Sequence, residues 1–204
     1  MNGSKDATRY TAGLTGEIFL FNESRIIAQL LAQGEESTAL RQRTISENLI
    51  MYKKESSLKR VTPPIFRRLA TMSSESLRIF AGSDLESARI LLIIAIAKTD
   101  RLVRDFLLNV YADKLLVKSN KLDRSDIERY FESVYDEEPS LRDKSDATKM
   151  KLKQQLMKNF VEAGLVKKQS DAYVITRPTV TTRLANQLTA DGDFIYLKAL
   201  GGTS

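Results

Sequence analysis

Residues 145–175 read SDATKMKLKQQLMKNFVEAGLVKKQSDAYVI, and this stretch decides the fold. Ser145 stands where a helix N-cap is wanted. Apolar residues then recur at helical spacing through Met150, Leu152, Leu156, Met157, Phe160, Val161 and Ala163. Gly164 supplies a helix stop, because it accepts left-handed backbone without a Cβ clash. Leu165 with Val166, and Tyr173 with Val174 and Ile175, form two short extended runs around a polar turn. Upstream, residues 125–135 carry a helical pattern, and the acidic, proline-containing DEEPS separates them from the long helix. Helix, turn, long helix, glycine, hairpin is the order of a winged helix-turn-helix. In that arrangement the second helix enters the major groove and the hairpin touches the flanking backbone.

The helical wheel assigns faces to the long helix. Lys144, Thr148, Lys151, Gln155, Lys158 and Asn159 fall opposite the apolar side. Lysines there suit phosphates, while Gln and Asn suit base edges. Lys149 and Lys153 fall on the apolar side and must snorkel or lie where that side is uncovered. Lys167 and Lys168 open the wing. Residues 142–183 hold ten basic and four acidic side chains, a local excess of six. A lysine-rich helix face is as often simply solvated; the adjoining hairpin and the charge excess favour nucleic acid.

Toward the N-terminus, residues 1–8 read as a lead-in without regular structure. Asn22 is a good cap for a helix to about residue 33, with Ile26, Ile27, Leu30 and Leu31 in register. Gly34 ends it, and Ser37 opens a second helix to about residue 52. Helix, glycine, helix again has helix-turn-helix spacing, and Ser37, Arg41, Thr44 and Asn48 form one polar stripe. Between residues 41 and 68 lie Arg41, Arg43, Lys53, Lys54, Lys59, Arg60, Arg67 and Arg68, against Glu47 and Glu55 alone. Leu40, Ile45, Leu49, Ile50, Met51 and Tyr52 crowd the same wheel, so a core helix with an incidental basic flank is the plainer reading. Pro63 and Pro64 argue against a continuous helix there, leaving a short one over 64–72.

Ser73 or Ser74 opens a further helix closed by Gly82, and Ser83 with Glu86 is a capping-box pattern. The run ILLIIAIA at 90–97 is the longest apolar stretch. It falls far short of the roughly 20 residues a bilayer requires, so it reads as a buried central helix. A break near Thr99 and Asp100 precedes renewed helical spacing to about residue 116. The polar LVKSNKLDRSD marks a soft boundary near 120. Residues 1–120 then form an N-terminal helical bundle with a helix-turn-helix-like unit. Residues 121–204 form a C-terminal winged helix-turn-helix-like domain with a last helix over 180–188. The expected class is mainly α.

Composition restricts the chemistry. The 204 residues include no cysteine, histidine or tryptophan. Disulfides, thiolate metal sites and every His-dependent nucleophile are thereby excluded. No phosphate loop or dinucleotide glycine pattern occurs. The GLTG at 13–16 lacks the strand order of a KH loop, and the DEE at 136–138 has carboxylates that could hold a divalent cation but is more often a solvated turn. A non-enzyme without catalytic residues, metal or cofactor is expected. The N-terminus carries no apolar signal region, which points to the cytoplasm. A net charge of +6 leans toward a polyanionic partner. No sustained heptad seam appears, so a monomer is expected.

Three segments carry a family resemblance: YTAGLTGEIFLFNESRIIAQLLAQG at 10–34, SENLIMYKKESSLKRVTPPIFRRL at 46–69, and DATKMKLKQQLMKNFVEAGLVKK at 146–168. Together they resemble the BrxA family of BREX bacteriophage-exclusion systems. The resemblance implies a small, mainly helical, cytoplasmic protein that binds double-stranded DNA. It also implies two helix-turn-helix elements and work beside a methyltransferase, an ATPase and a phosphatase-like component. A protein scaffold without DNA binding, or a helical RNA-binding module, are the competing readings. The residues alone reach only a helical, basic chain suited to DNA.

Overall fold

The computed structural model describes residues 8–202; of the expected lead-in, only Thr8 lies among them. The chain is mainly α. After a 3-10 turn at Gly13–Gly16 come α1 (Phe21–Ala32), α2 (Ser37–Ser46), α3 (Glu55–Leu69), α4 (Ser74–Gly82) and α5 (Leu85–Thr99). Next are α6 (Arg101–Asp105), a π-helical segment (Phe106–Tyr111) and α7 (Ala112–Leu116). Then follow β1 (Lys121–Leu122), α8 (Arg124–Glu137), α9 (Pro139–Arg142) and α10 (Asp146–Glu162). The hairpin strands β2 (Val166–Gln169) and β3 (Ala172–Ile175) precede α11 (Thr182–Ala190) and α12 (Phe194–Ala199).

The helix α5 is the axis of the core. Every residue from Ile90 to Ala97 is buried, as an element apolar on all sides requires. Asp84 caps α5 through Ser87 N–H, which displaces the expected Ser83 cap by one residue. The break at Asp100 is present, and its side chain caps α6 through Val103 N–H. One contiguous apolar cluster runs from Tyr10 and Leu14, through α5, to Phe160, Leu184 and Leu200. Phe106 and Tyr111, from the π-helical segment, stand 4.9 and 6.0 Å from the ring of Phe160 on α10. The last helices return to the first half: Lys98 pairs with Asp193 at 2.5 Å, and Ser73 and Ser76 both bond Asp191.

Three local expectations are corrected. The second helix stops at Ser46 rather than near 52, because Asn48 and Met51 take left-handed backbone. The Asn48 amide fixes that turn, donating to the Tyr52 carbonyl and accepting from the Tyr52 N–H. The helix α3 runs straight through Pro63 and Pro64. Their missing N–H groups leave the carbonyls of Lys59 and Arg60 without their helical donors. The acidic DEE is not an open turn. Asp136 and Glu137 end α8, and the three carboxylates pair with Arg142, Arg101 and Arg9.

In the second half, β1 was not foreseen and completes the sheet. Its order is β1-β3-β2, antiparallel throughout, with Lys121 opposite Val174 and Leu122 opposite Tyr173. A two-residue strand carries almost no periodic signal, so only its partner reveals it. The resulting order is α7, β1, α8, α10, β2, β3, with α9 as an extra turn between α8 and α10.

Candidate nucleic-acid interface

Ser145 caps α10 by accepting from Thr148 N–H, and Gly164 ends it at φ +77°. The apolar side packs through Leu152, Leu156, Met157 and Phe160. The outward stripe consists of Ala147, Met150, Lys151, Gln154, Lys158 and Val161. Met150 is 58% exposed and Val161 is 37% exposed.

This face is rotated from the one the sequence suggests. Gln155 is buried, and Asn159 is wholly buried with neither amide atom hydrogen-bonded to protein. Both are withdrawn from the set of surface contacts. The wheel treated amides as outward by polarity, whereas the core takes whichever residue its geometry presents. The Thr148 hydroxyl lies 3.0 Å from the Ser145 hydroxyl, within the cap. Lys149 and Lys153 do snorkel: their ammonium groups lie over the rings of Tyr135 and Phe131, each 5.6 Å from the centroid. Lys153 also pairs with Glu128.

Alongside the stripe, a groove of about 370 Å³ runs between α8, α10 and the hairpin. Met150, Met157 and Tyr173 give it apolar walls, and Arg124, Lys153 and Lys168 stand along it. The hairpin register places Lys168 opposite Tyr173 and Lys167 opposite Val174. Directly opposed residues share a face, so Lys168 belongs to the groove side and Lys167 to the other. No carboxylate lies within ion-pair distance of Lys144, Lys151, Lys167 or Lys168 among the described residues. Lys158 has a loose partner, Glu162, at 3.6 Å.

The N-terminal basic set is arranged differently. Thr44 is buried, with its hydroxyl donating to the Leu40 carbonyl. Arg43 is held by Glu47 and Glu35, whose hydrogen bonds raise its pKa. Lys59 pairs with Glu55, and Arg60 donates to the Gly16 carbonyl. Arg67 meets Glu17 at 2.5 Å. Arg68 is 1% exposed and donates to the carbonyls of Ile18 and Phe19 and to Glu17. Burial pulls its pKa down to about 10, so it stays charged at neutral pH. Thr44 and Arg68 are core residues, and Asn48 is a turn lock. Among the described residues, only Arg41, Lys53 and Lys54 of that set remain outward and unpaired.

The comparisons with known proteins bear on this arrangement. The BrxA family model matches residues 8–192. The chain belongs to the BrxA family. A relative named BREX protein BrxA from Bacillus cereus is 28% identical over 95% of this chain and 96% of its own length. Another of that name from Escherichia coli is 25% identical over 79% of this chain and 76% of its own. The BrxA fold also matches a crystal structure of an uncharacterized protein from Magnetospirillum magneticum. There the TM-score is 0.76 at 24% identity, covering 94% of this chain and 98% of the other. Among the described residues of this BrxA-family chain, no helix is long and apolar enough to cross a membrane.

Proposed function

We propose that this chain is a non-catalytic, double-stranded-DNA-binding component of a BREX-type phage defence system. It acts as a cytoplasmic monomer beside the system's methyltransferase, ATPase and phosphatase-like proteins. The observation that carries this reading is the α10 face. Lys151, Gln154 and Lys158 point outward on one helix, and the hairpin sets Lys168 along the groove that Gln154 lines. A major groove about 12 Å wide admits such a helix. Lysines without internal partners are free to displace counterions from phosphates, and that release makes affinity salt-dependent. The phage-defence setting is supported by the names of the relatives.

A gel-shift titration of the purified protein against duplex DNA tests the reading. Binding that weakens steeply with salt is expected, and absence of duplex binding at low salt would overturn it. Duplex outcompeted by structured RNA would favour an RNA-binding module. The apolar floor of the groove favours a second reading, a docking site for another protein. Binding of a protein partner that is unaffected by excess duplex would support that alternative. Light scattering checks the monomer: a tight dimer at micromolar concentration would reject it.

A further inference from the structure

We propose that Gln154 and Met150 form a base-reading pair that gives the α10 face a preference for A·T base pairs in the major groove. The inference rests on the duplex-binding reading above and adds specificity to it. Gln154 is exposed, lines the groove, and has no hydrogen-bond partner among the described residues. It stands three residues after Lys151 and four before Lys158, so a helix seated by those two lysines carries its amide between the phosphate contacts.

A glutamine amide offers a donor and an acceptor side by side. Adenine presents the matching N7 acceptor and N6 donor in the major groove, and guanine presents two acceptors there. Met150 lies one turn earlier on the same face, 58% exposed, with a flexible thioether. Together with Ala147 it offers apolar surface to the thymine C5-methyl, the one apolar group on a base edge in that groove. Two carboxylates line the groove: Glu128 is engaged by Lys153, and Asp171 stands exposed at the hairpin turn.

The test uses the full chain and three duplexes of equal length: alternating d(AT), alternating d(AU), which lacks the thymine methyl, and alternating d(GC). Affinities are measured across a salt series. The d(AT) duplex is expected to bind about tenfold tighter than d(GC), the scale of one good bidentate contact. The d(AU) duplex should fall between them. Gln154→Ala should remove most of the d(AT) preference without changing the salt slope. Met150→Ala should abolish only the difference between d(AT) and d(AU). Equal affinity for all three duplexes, with a steep salt slope, would overturn the reading pair and leave duplex binding intact. A d(AT) preference that survives Gln154→Ala would also overturn it, since groove shape would then be the cause. Failure to bind any duplex would overturn the duplex reading itself.

Discussion

The two basic segments of this chain carry the same excess of charge and differ in where their unpaired cations sit. Residues 41–68 and residues 142–183 each exceed neutrality by six. In the first, Arg43, Lys59, Arg67 and Arg68 are tied to Glu47 and Glu35, Glu55 and Glu17, and Arg60 to a carbonyl. In the second, Arg142, Lys149, Lys153, Lys158 and Arg183 also meet carboxylates, while Lys144, Lys151, Lys167 and Lys168 face outward without one along α10 and its hairpin. The unpaired Arg41, Lys53 and Lys54 of the first segment lie on no such helix-and-hairpin face. Charge counted along a sequence is therefore not charge offered to a ligand. The partners that neutralise the N-terminal set include Glu17 and Glu35, which lie outside the segment counted and come close only in the fold.

The largest expected effect that separates the regions is on stability. Arg68→Ala removes a buried guanidinium, leaves the carbonyls of Ile18 and Phe19 unsatisfied, and leaves Glu17 held by Arg67 alone. A loss of about 3 kcal/mol is expected in urea unfolding, with duplex affinity of the folded variant unchanged. A stable Arg68→Ala protein with lost affinity would reverse the assignment of that segment.

Asn159 supplies the opposite case. Its amide is buried without a protein partner, so Asn159→Leu should stabilise the fold by about 1 kcal/mol and leave the salt slope as it was. Loss of DNA affinity in Asn159→Leu would restore Asn159 to the surface where the wheel placed it.

A smaller effect is readable in pH. Burial, reinforced by the nearby Glu17 carboxylate, raises the Asp100 carboxyl to about 6, even though it caps α6 and lies near Arg68. A carboxyl raised in the folded state takes up its proton there more readily than in the unfolded chain. Stability is therefore gained as pH falls from about 6 toward the ordinary carboxylate value of about 4, and is lost on the return. Asp100→Asn keeps the cap and removes the titration. Between pH 7 and 5 the melting temperature of the parent should rise relative to that of Asp100→Asn. Parallel curves for the two proteins would contradict this.

Most of the helical frame was legible in the sequence because caps and stops are local. Ser73, Ser145, Gly164 and the break at Asp100 each act within a few residues. The features missed depend on distant contacts. The strand β1 exists only because β3 lies beside it, and α3 crosses two prolines because α1 and α5 pack on it. The candidate site was half legible. Lys151 and Lys158 are where periodicity puts them, but Gln154 had to replace Gln155. Adjacent glutamines differ by one step of the wheel, and which of them turns inward is decided by the packing of Leu152, Leu156 and Phe160. A buried, unpartnered Asn159 leaves no mark in a sequence at all.

The contrast between the two segments is tested most directly by the slope of log affinity against log salt for duplex DNA. Each phosphate neutralised contributes about −0.9, so the parent protein, making about five contacts, should give roughly −4 to −5. Lys151→Ala/Lys168→Ala should flatten the slope by about two units. Arg43→Ala/Lys59→Ala, which removes as much formal charge, should leave it unchanged. The reverse pattern, with the slope lost in the second double variant and retained in the first, would contradict the assignment of the binding face to α10 and its hairpin.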